Sequence, residues 1–187
     1  MSSKPLRRLQ RLAAVIAVLG GAVLASAGQT MPDGRPTPSG QPVPRWLSLK
    51  SSEVRARYGP GLDYRILWEY RASGLPVQVI AETREWRKIC DADGSVAWVH
   101  RSVVSSRRHV MNTSQVEVPI HARRSATSAV RARLSPRAQV SIGDCEDGWC
   151  EVRVRRMRGW VQQNAVFGTQ TRALCNAERP AGRGRVA

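Results

Sequence analysis

Short apolar runs separated by turn residues dominate the chain from Trp46 onward. In the first half these runs lie at 54–56, 66–70, 77–80, 86–89 and 96–99, with turn-forming segments at 59–61, 74–76 and 91–94. Runs this short, bounded by Gly, Pro and Asp, are typical of β-strands. No segment after residue 28 keeps a helical period, so the pattern predicts an all-β fold of the barrel or sandwich kind.

The same pattern recurs about sixty residues later. Trp86 recurs as Trp149 and Trp98 as Trp160, at offsets of 63 and 62 positions. The second set of predicted strands covers 116–118, 130–134, 138–143, 149–154 and 158–161. A repeat of this length predicts two copies of one small β-barrel rather than one large domain. We place the first repeat at 46–108 and the second repeat at 109–168.

The N-terminus has the three parts of a secretory signal peptide. A basic stretch with Lys4 and three arginines precedes an uncharged apolar run of 16 residues, 12–27, which ends in Ala25-Ser26-Ala27. This order predicts cleavage after Ala27 and a periplasmic or secreted protein with no transmembrane segment left after cleavage. The alternative is an uncleaved anchor, although the run is short for a membrane span.

The segments that flank the repeats have a different composition. Residues 28–45 hold five prolines and three glycines in 18 positions, which predicts an extended tether. Residues 169–187 end in a basic Gly- and Arg-rich sequence and are predicted to be a disordered tail.

The net charge narrows the choice of partners. The chain carries a formal charge of +16, and 27 of its 30 basic residues are Arg. Export argues against nucleic acid as the partner, because the abundant polyanions outside the cytoplasm are envelope polymers and membrane surfaces. The charge is spread over both repeats, so it indicates a solvated basic surface rather than a dedicated electrostatic domain.

Residues 49–108 resemble bacterial SH3-like (SH3b) domains. Val54-Arg55-Ala56-Arg57 with the following Gly59, Pro60 and Gly61 is similar to the opening "NVR-x-GPG" of that family, and Gly74 to Val79 is similar to its "G-x-P-V-x-V" strand. Trp86 and Trp98-Val99-His100 stand where the family has its "W-x-x-V" and closing "GWV" motifs. The resemblance implies two tandem small SH3-like β-barrels, and it is greatest to exported two-repeat proteobacterial proteins with a "CxxxWC" unit.

Two departures from the family pattern bear on function. Ala97 stands where the family usually has Gly, and the second repeat has 124–127 where the first has its Gly59-Pro60-Gly61 turn. If the first loop builds a ligand site, the second repeat has lost or altered it. Many family members target cell-wall peptidoglycan, so the resemblance implies peptidoglycan or another anionic envelope polymer as the partner.

Export also makes the four cysteines candidates for disulfides rather than metal ligands. Cys145 and Cys150 enclose four residues that contain Asp147-Gly148. If these form a hairpin, the two cysteines face each other within disulfide reach. Cys90 and Cys175 remain as a second pair that would join the tail to the first repeat. No close C-x-x-C pairs suggest a zinc site, and we expect neither metal nor other cofactor.

A Cys–His hydrolase is the enzymatic alternative. Cys90 and the three histidines supply the residue types, but a nucleophilic Cys needs a site that stabilises its thiolate beside a positioned base. Cys90 lies at the end of a predicted strand, and no further domain remains once both repeats are assigned. We therefore expect the chain not to be an enzyme.

The aromatic residues give the candidate binding site. Tyr58 and Tyr64 bracket the turn Gly59-Pro60-Gly61, with Arg57 and Trp86 as the other candidate ligand-binding residues. Aromatic rings beside a loop stack on sugars or hold peptides. Trp98 and Trp160 are expected to fill the small cores instead.

These observations favour a non-catalytic, exported binding or adaptor protein associated with the cell wall. The alternative is a periplasmic adaptor that binds a partner peptide or strand at a sheet edge. A third hypothesis, cytoplasmic nucleic-acid binding, requires that residues 1–27 do not direct export.

Overall fold

The structure is a computed structural model that describes residues 30–184. The predicted signal peptide, 1–27, lies outside the described residues, as do positions 28–29 and 185–187. The described chain is all-β and forms two antiparallel sheets, which confirms the fold class that the sequence predicts. No helix within residues 30–184 has the length and apolar character needed to cross a membrane.

The first sheet has seven strands. They are β1 (Arg45–Leu49), β2 (Val54–Arg57), β3 (Ile66–Tyr70), β4 (Pro76–Glu82), β5 (Trp86–Cys90), β6 (Val96–His100) and β7 (Val104–Ser105). Their order across the sheet is β3-β2-β6-β5-β4-β1-β7. A short 3₁₀ helix, Arg101–Val103, follows β6.

The second sheet has six strands. They are β8 (His109–Met111), β9 (Val118–His121), β10 (Val130–Leu134), β11 (Gln139–Glu146), β12 (Trp149–Val154) and β13 (Met157–Gln162). Their order, β10-β9-β13-β12-β11-β8, corresponds strand for strand to β3-β2-β6-β5-β4-β1. A 3₁₀ helix, Gln163–Ala165, follows β13, just as the 3₁₀ helix Arg101–Val103 follows β6. The sheets are therefore two copies of one unit.

The predicted strands are present in nine of ten cases, with small differences in their ends. The exception is the strand predicted at 116–118, because β9 begins only at Val118. Asn112 holds the preceding residues in a loop: its Nδ2 donates to the carbonyls of Val116 and Leu134, and its Oδ1 accepts from the Ser114 amide. Strands β1, β7 and β8 were not predicted.

Each sheet encloses its own hydrophobic core. The first core consists of Val43, Leu49, Val54, Val77, Val79, Ile89 and Val99. The second consists of Val110, Val118, Ile120, Leu134, Val140, Cys150, Val152, Val161 and Val166. The expectation that Trp98 and Trp160 fill these cores is wrong, because both rings are only half-buried, and they stack against Lys88 and Arg124 on the outer faces.

The departure at Ala97 has a steric explanation in the fold. In the second repeat the matching position is Gly159, where a Cβ would lie 2.4 Å from Cγ2 of Ile120. In the first repeat the position that matches Ile120 is Ala56, and both Ala56 and Ala97 are fully buried. The smaller residue on β2 leaves room for the methyl group on β6. A large residue on one strand is thus paired with a small residue on its neighbour, so that the side-chain volume between the two strands fits the close-packed core.

The tail corrects a prediction, because residues 169–184 are packed on the first repeat rather than disordered. Strand β5 is buried at every position and β4 at six of seven, so this part of the sheet is covered on both faces. The tail supplies the second cover through Cys175 and Ala177, which pack with Ile80 and Val96. Cys175 is bonded to Cys90, which confirms the second disulfide.

Buried polar side chains fix the path of the tail. The amide of Gln78, fully buried, donates to the Arg172 carbonyl at 2.7 Å and accepts from the Leu174 amide at 2.8 Å. The Lys88 ammonium donates to the Ala177 carbonyl, and burial lowers its pKa. The tail backbone thereby pairs polar groups that would be costly to leave unsatisfied.

The predicted tether is also packed in its described part, residues 30–45. Val43 belongs to the first core, and Ser39 donates its amide and hydroxyl to Glu82, whose side chain has 0% exposure. Glu82 also pairs with Arg45 at 2.6 Å and with Arg87 at 3.1 Å. Burial by itself would raise the pKa of Glu82, but the hydrogen bonds from Ser39 and Arg45 hold it below the ordinary value.

The predicted disulfide between Cys145 and Cys150 is present, with its Cα atoms 4.0 Å apart. The two residues are direct partners across β11 and β12. Asp147 and Gly148 make the turn between these strands, both with positive φ (52° and 75°). This is the backbone that two-residue hairpins prefer, and Asp-Gly adopts it readily.

We predict that the Cys90–Cys175 bond keeps the tail attached to the first repeat. In a Cys90→Ala/Cys175→Ala variant, limited trypsin digestion should cleave after Arg172 and Arg183 faster than in the wild type, because local release of the tail frees the backbone at both sites. The control is Cys145→Ala/Cys150→Ala, which removes a disulfide that bonds no residue of the tail. Equal protection of the tail in both variants would contradict the prediction.

We predict that Glu82→Gln lowers the free energy of unfolding by about 3–5 kcal/mol, because it leaves the guanidinium groups of Arg45 and Arg87 without a buried counter-ion. Urea denaturation at pH 7 measures the change. The pKa of Glu82 is depressed in the folded state, so the difference should be full above the pKa of an unfolded Glu and shrink as the pH falls through the folded value. The control, Glu85→Gln at an exposed pair with Arg101, should change stability little.

Candidate ligand-binding site

The loop between β2 and β3 is shaped by its glycines. The Tyr64 ring lies against the backbone of Gly59, where a Cβ would be 2.3 Å from two ring atoms. At Gly61 a Cβ would meet the Asp63 carboxylate at 2.3 Å. Gly59 therefore lets the tyrosine ring fold onto the loop, which explains the lack of a side chain at that position.

Arg57 holds this loop together. One guanidinium nitrogen donates to the carbonyls of Leu62 and Tyr64, at 2.9 and 2.7 Å. These bonds cross the loop and leave part of the guanidinium for other contacts. Arg57 is thus first a positioning residue, a role that the sequence did not reveal.

The two tyrosines lie on the outer surface of the loop. Both are exposed, and the Arg65 guanidinium is 5.1 Å from the centre of the Tyr58 ring. Leu62 at the loop tip is 78% exposed, more than any other large apolar residue within 30–184. The loop therefore presents a mostly exposed apolar tip.

Trp86 is mostly buried, with 8% exposure, and its ring meets His100 edge to face at 5.3 Å. His100 in turn lies 3.5 Å from the Glu85 carboxylate and accepts a hydrogen bond from the Ser102 amide. Edge-to-face contacts of this kind fix the orientation of both rings. Trp86, the first residue of β5, is thus held in one orientation.

A cleft of about 290 Å³ joins the loop to Trp86. Its lining is Glu53, Arg55, Arg57, Leu62, Glu69, Trp86, His100 and Val103. Of the four residues predicted to bind a ligand, Arg57 and Trp86 line this cleft, whereas Tyr58 and Tyr64 do not. The sequence reasoning missed Leu62, His100 and the pair Arg55–Glu69, which are direct partners across β2 and β3.

The second repeat differs at the same places. Trp149 packs edge to face on His121 at 5.4 Å, as Trp86 does on His100. The loop between β9 and β10, residues 122–129, has no aromatic residue. Arg124 on that loop stacks on Trp160 at 4.5 Å and pairs with Glu146. A cavity of about 630 Å³ lies beside Trp149 instead, lined with polar side chains that include Gln162 and Thr171.

The model of the bacterial SH3 domain family matches residues 50–106 and 114–168. The chain belongs to the bacterial SH3 domain family. Each match falls on one of the two sheets, so the first repeat and the second repeat are two tandem SH3 domains, as the resemblance implies.

Comparison with solved structures gives weaker similarities. NlpC2 from Trichomonas vaginalis is 14% identical over 67% of this chain and 48% of its own, with a TM-score of 0.31. NlpC1 from the same organism is 16% identical over 71% of this chain and 49% of its own, with a TM-score of 0.32. The chain spans about half the length of these structures, and similarity at this level says nothing about activity. No curated protein matches the chain.

Cys90, the cysteine considered as a catalytic nucleophile, forms a disulfide bond. Cys90 is bonded to Cys175 and fully buried, and all four cysteines of the chain are paired. A disulfide sulfur is not a thiolate nucleophile. The SH3 domains therefore offer no Cys–His pair of the kind that a thiol hydrolase needs.

We predict that Gly59→Ala destabilises the first SH3 domain by about 1–3 kcal/mol, because the new methyl group displaces the Tyr64 ring. The cost should fall sharply in a Tyr64→Ala background, since the ring is then absent. A double-mutant cycle on urea unfolding measures this coupling. Gly182→Ala, where a Cβ meets nothing within 4 Å, is the matched control. Additive effects of Gly59→Ala and Tyr64→Ala would contradict the packing.

Proposed function

We propose that the chain is an exported, non-catalytic binding protein that attaches to peptidoglycan through the cleft of its first SH3 domain. The observation that carries the proposal is the cleft between Leu62 and Trp86. It combines apolar surface with side chains of both charges, Arg55 and Glu69 among them. This lining suits a short peptide that carries amines and carboxylates, as the stem peptides of peptidoglycan do.

Two features support export. The first is the order of basic, apolar and small residues over 1–27. The second is the pair of disulfides, Cys90–Cys175 and Cys145–Cys150, because such bonds persist in oxidising compartments. A periplasmic or secreted location brings the chain into contact with the wall.

The rigidity of the site also supports a binding role. Arg57 fixes the loop through two carbonyls, and His100 fixes the ring of Trp86. A preorganised site loses little conformational entropy when a ligand binds. The bonding of all four cysteines supports a non-catalytic role.

A periplasmic protein–protein adaptor is the second candidate. Strand β3 is an edge of the first sheet, and Ile66 at its start is 47% exposed. An edge strand with exposed apolar surface can pair with a strand of a partner protein. This role uses the sheet edge rather than the cleft, so the same experiment separates the two candidates.

We predict that Leu62→Ser weakens retention on purified sacculi by about fivefold or more, because it removes most of an exposed apolar contact. Val116→Ser is the matched control: Val116 is 69% exposed on the second repeat and lines none of the clefts described. Co-sedimentation at several salt concentrations measures the affinity.

The other outcomes are equally specific. Equal retention of both variants would overturn the assigned cleft, and a loss with Tyr58→Ala/Tyr64→Ala alone would move the site to the outer face of the loop. No retention of the wild type, together with crosslinking in cells to one protein that Ile66→Arg abolishes, would establish the adaptor instead. Retention that vanishes at moderate salt in every variant would mean that charge alone attracts the chain.

A further inference from the structure

The two SH3 domains enclose a cavity of about 550 Å³ where they meet. Trp46 and Phe167 pack edge to face at 4.8 Å across this junction, and Gln139 donates to the Ser73 carbonyl at 2.7 Å. Its lining includes Ser48, Lys50 and Arg107 from the first repeat and His109, Ser141 and Arg155 from the second. Both domains contribute, so neither repeat has this site alone.

The charged side chains of the lining are all basic. Lys50, Arg107, Arg153 and Arg155 are basic, and the lining includes no Asp or Glu. Arg153 lies 3.6 Å from Glu151, whereas Lys50, Arg107 and Arg155 make no ion pair and no side-chain hydrogen bond within residues 30–184. These basic side chains are exposed and give the junction a positive potential that would attract an anion.

The floor of the cavity is polar. His109 links the two domains there, because its Nδ1 lies 3.2 Å from the Ser48 hydroxyl and its Nε2 lies 3.3 Å from the Ser141 hydroxyl. Burial lowers the pKa of His109. A hydroxyl that accepts from the His109 N–H keeps its own O–H free to donate to the oxygens of a ligand that the basic side chains attract.

A second cavity of about 850 Å³ adjoins the first and shares Arg107, Ser141, Arg153 and Arg155 with it. It adds Arg108, whose Nη2 donates to the Gly168 carbonyl while its buried Nε has no partner. Asp144 is the one acidic residue in this lining. The basic surface thus extends along the junction rather than ending at one pocket.

Arg155 occupies an unfavourable backbone position. Its φ is 54°, the left-handed region, in the turn between β12 and β13. Gly or Asn is preferred there, and another residue costs about 1 kcal/mol. The turn nevertheless carries a guanidinium at the rim of the cavity.

We infer that the junction between the two SH3 domains is a binding site for a polyvalent oxyanion of the phosphate class. Arg107 and Arg155 would hold its oxygens with guanidinium groups, which match phosphate in geometry, and Lys50 and Arg153 would add charge. The Ser141 hydroxyl, oriented by His109, would complete the contacts. The site shares no lining residue with the cleft at Leu62 and Trp86, so it is separate from the proposed peptidoglycan site.

Titration of the full chain with inorganic pyrophosphate tests the inference by calorimetry. Lys50→Gln/Arg107→Gln should raise the Kd by at least about tenfold, because two charged contacts are lost. Arg84→Gln/Arg123→Gln is the matched control: it removes the same charge from two exposed residues that line neither cavity. The control should change the Kd by less than about twofold, since screened charges at a distance contribute little.

Proton NMR supplies a second readout, because the chain has only three histidines. Pyrophosphate should shift the imidazole signal of His109 and raise its pKa, while the signals of His100 and His121 stay in place. Equal losses in the two double variants, no binding by the wild type, or acetate binding as tightly as pyrophosphate at matched ionic strength would each overturn the inference.

The source of the phosphate can be separated in the same system. Vesicles of phosphatidylglycerol and phosphatidylcholine that bind the wild type but not Lys50→Gln/Arg107→Gln would support the site and identify a lipid headgroup as its ligand. Pyrophosphate binding without vesicle binding would support a soluble or polymer-borne phosphate. Vesicle binding that both double variants retain, without a pyrophosphate site, would contradict the inference.

Discussion

The constraint on which the structure depends is the small size of each repeat. A unit of about sixty residues buries only about 60% of the surface that its unfolded chain exposes, so its core is marginal. The chain adds stabilising elements to the two sheets. In the first SH3 domain these are the segments on either side of the repeats, fastened by the Cys90–Cys175 bond and by the buried Glu82. In the second a disulfide closes the hairpin at Trp149.

The two domains differ in how far these stabilising elements cover their sheets. The first sheet is covered on both faces in its centre, so strands β4 and β5 are buried almost throughout. In the second, β12 and β13 alternate between buried and more exposed positions, as expected of a sheet with one solvated face. The first domain is therefore the more constrained body, and it carries the loop and the rigid Trp86. The second supplies half of the basic junction.

The sequence predicts the strands and the repeat well because both depend on local chemistry. Gly59 and Gly61 mark a tight loop, and Asp147-Gly148 marks the hairpin that brings Cys145 and Cys150 together. The candidate site could be predicted only in part. Arg57 and Trp86 meet in one cleft, but Leu62 and His100 enter it from positions that no motif marks. Tyr58 and Tyr64 point elsewhere, because the Tyr64 ring folds onto Gly59. The direction of a ring on a loop depends on packing rather than on spacing.

The sequence by itself determined the fold class, the duplication and the Cys145–Cys150 hairpin, since each follows from periodicity or from neighbours a few residues apart. Only the tertiary structure showed that the segments at 30–45 and 169–184 are packed on the first SH3 domain. Their composition lacks the apolar content that predicts order, and they are ordered by partners far away in sequence: Glu82 lies 43 residues from Ser39, and Gln78 lies 96 residues from Leu174. The basic junction between the domains has the same origin. Lys50, Arg107 and Arg155 are dispersed along the chain, and packing of one SH3 domain on the other brings them to one cavity.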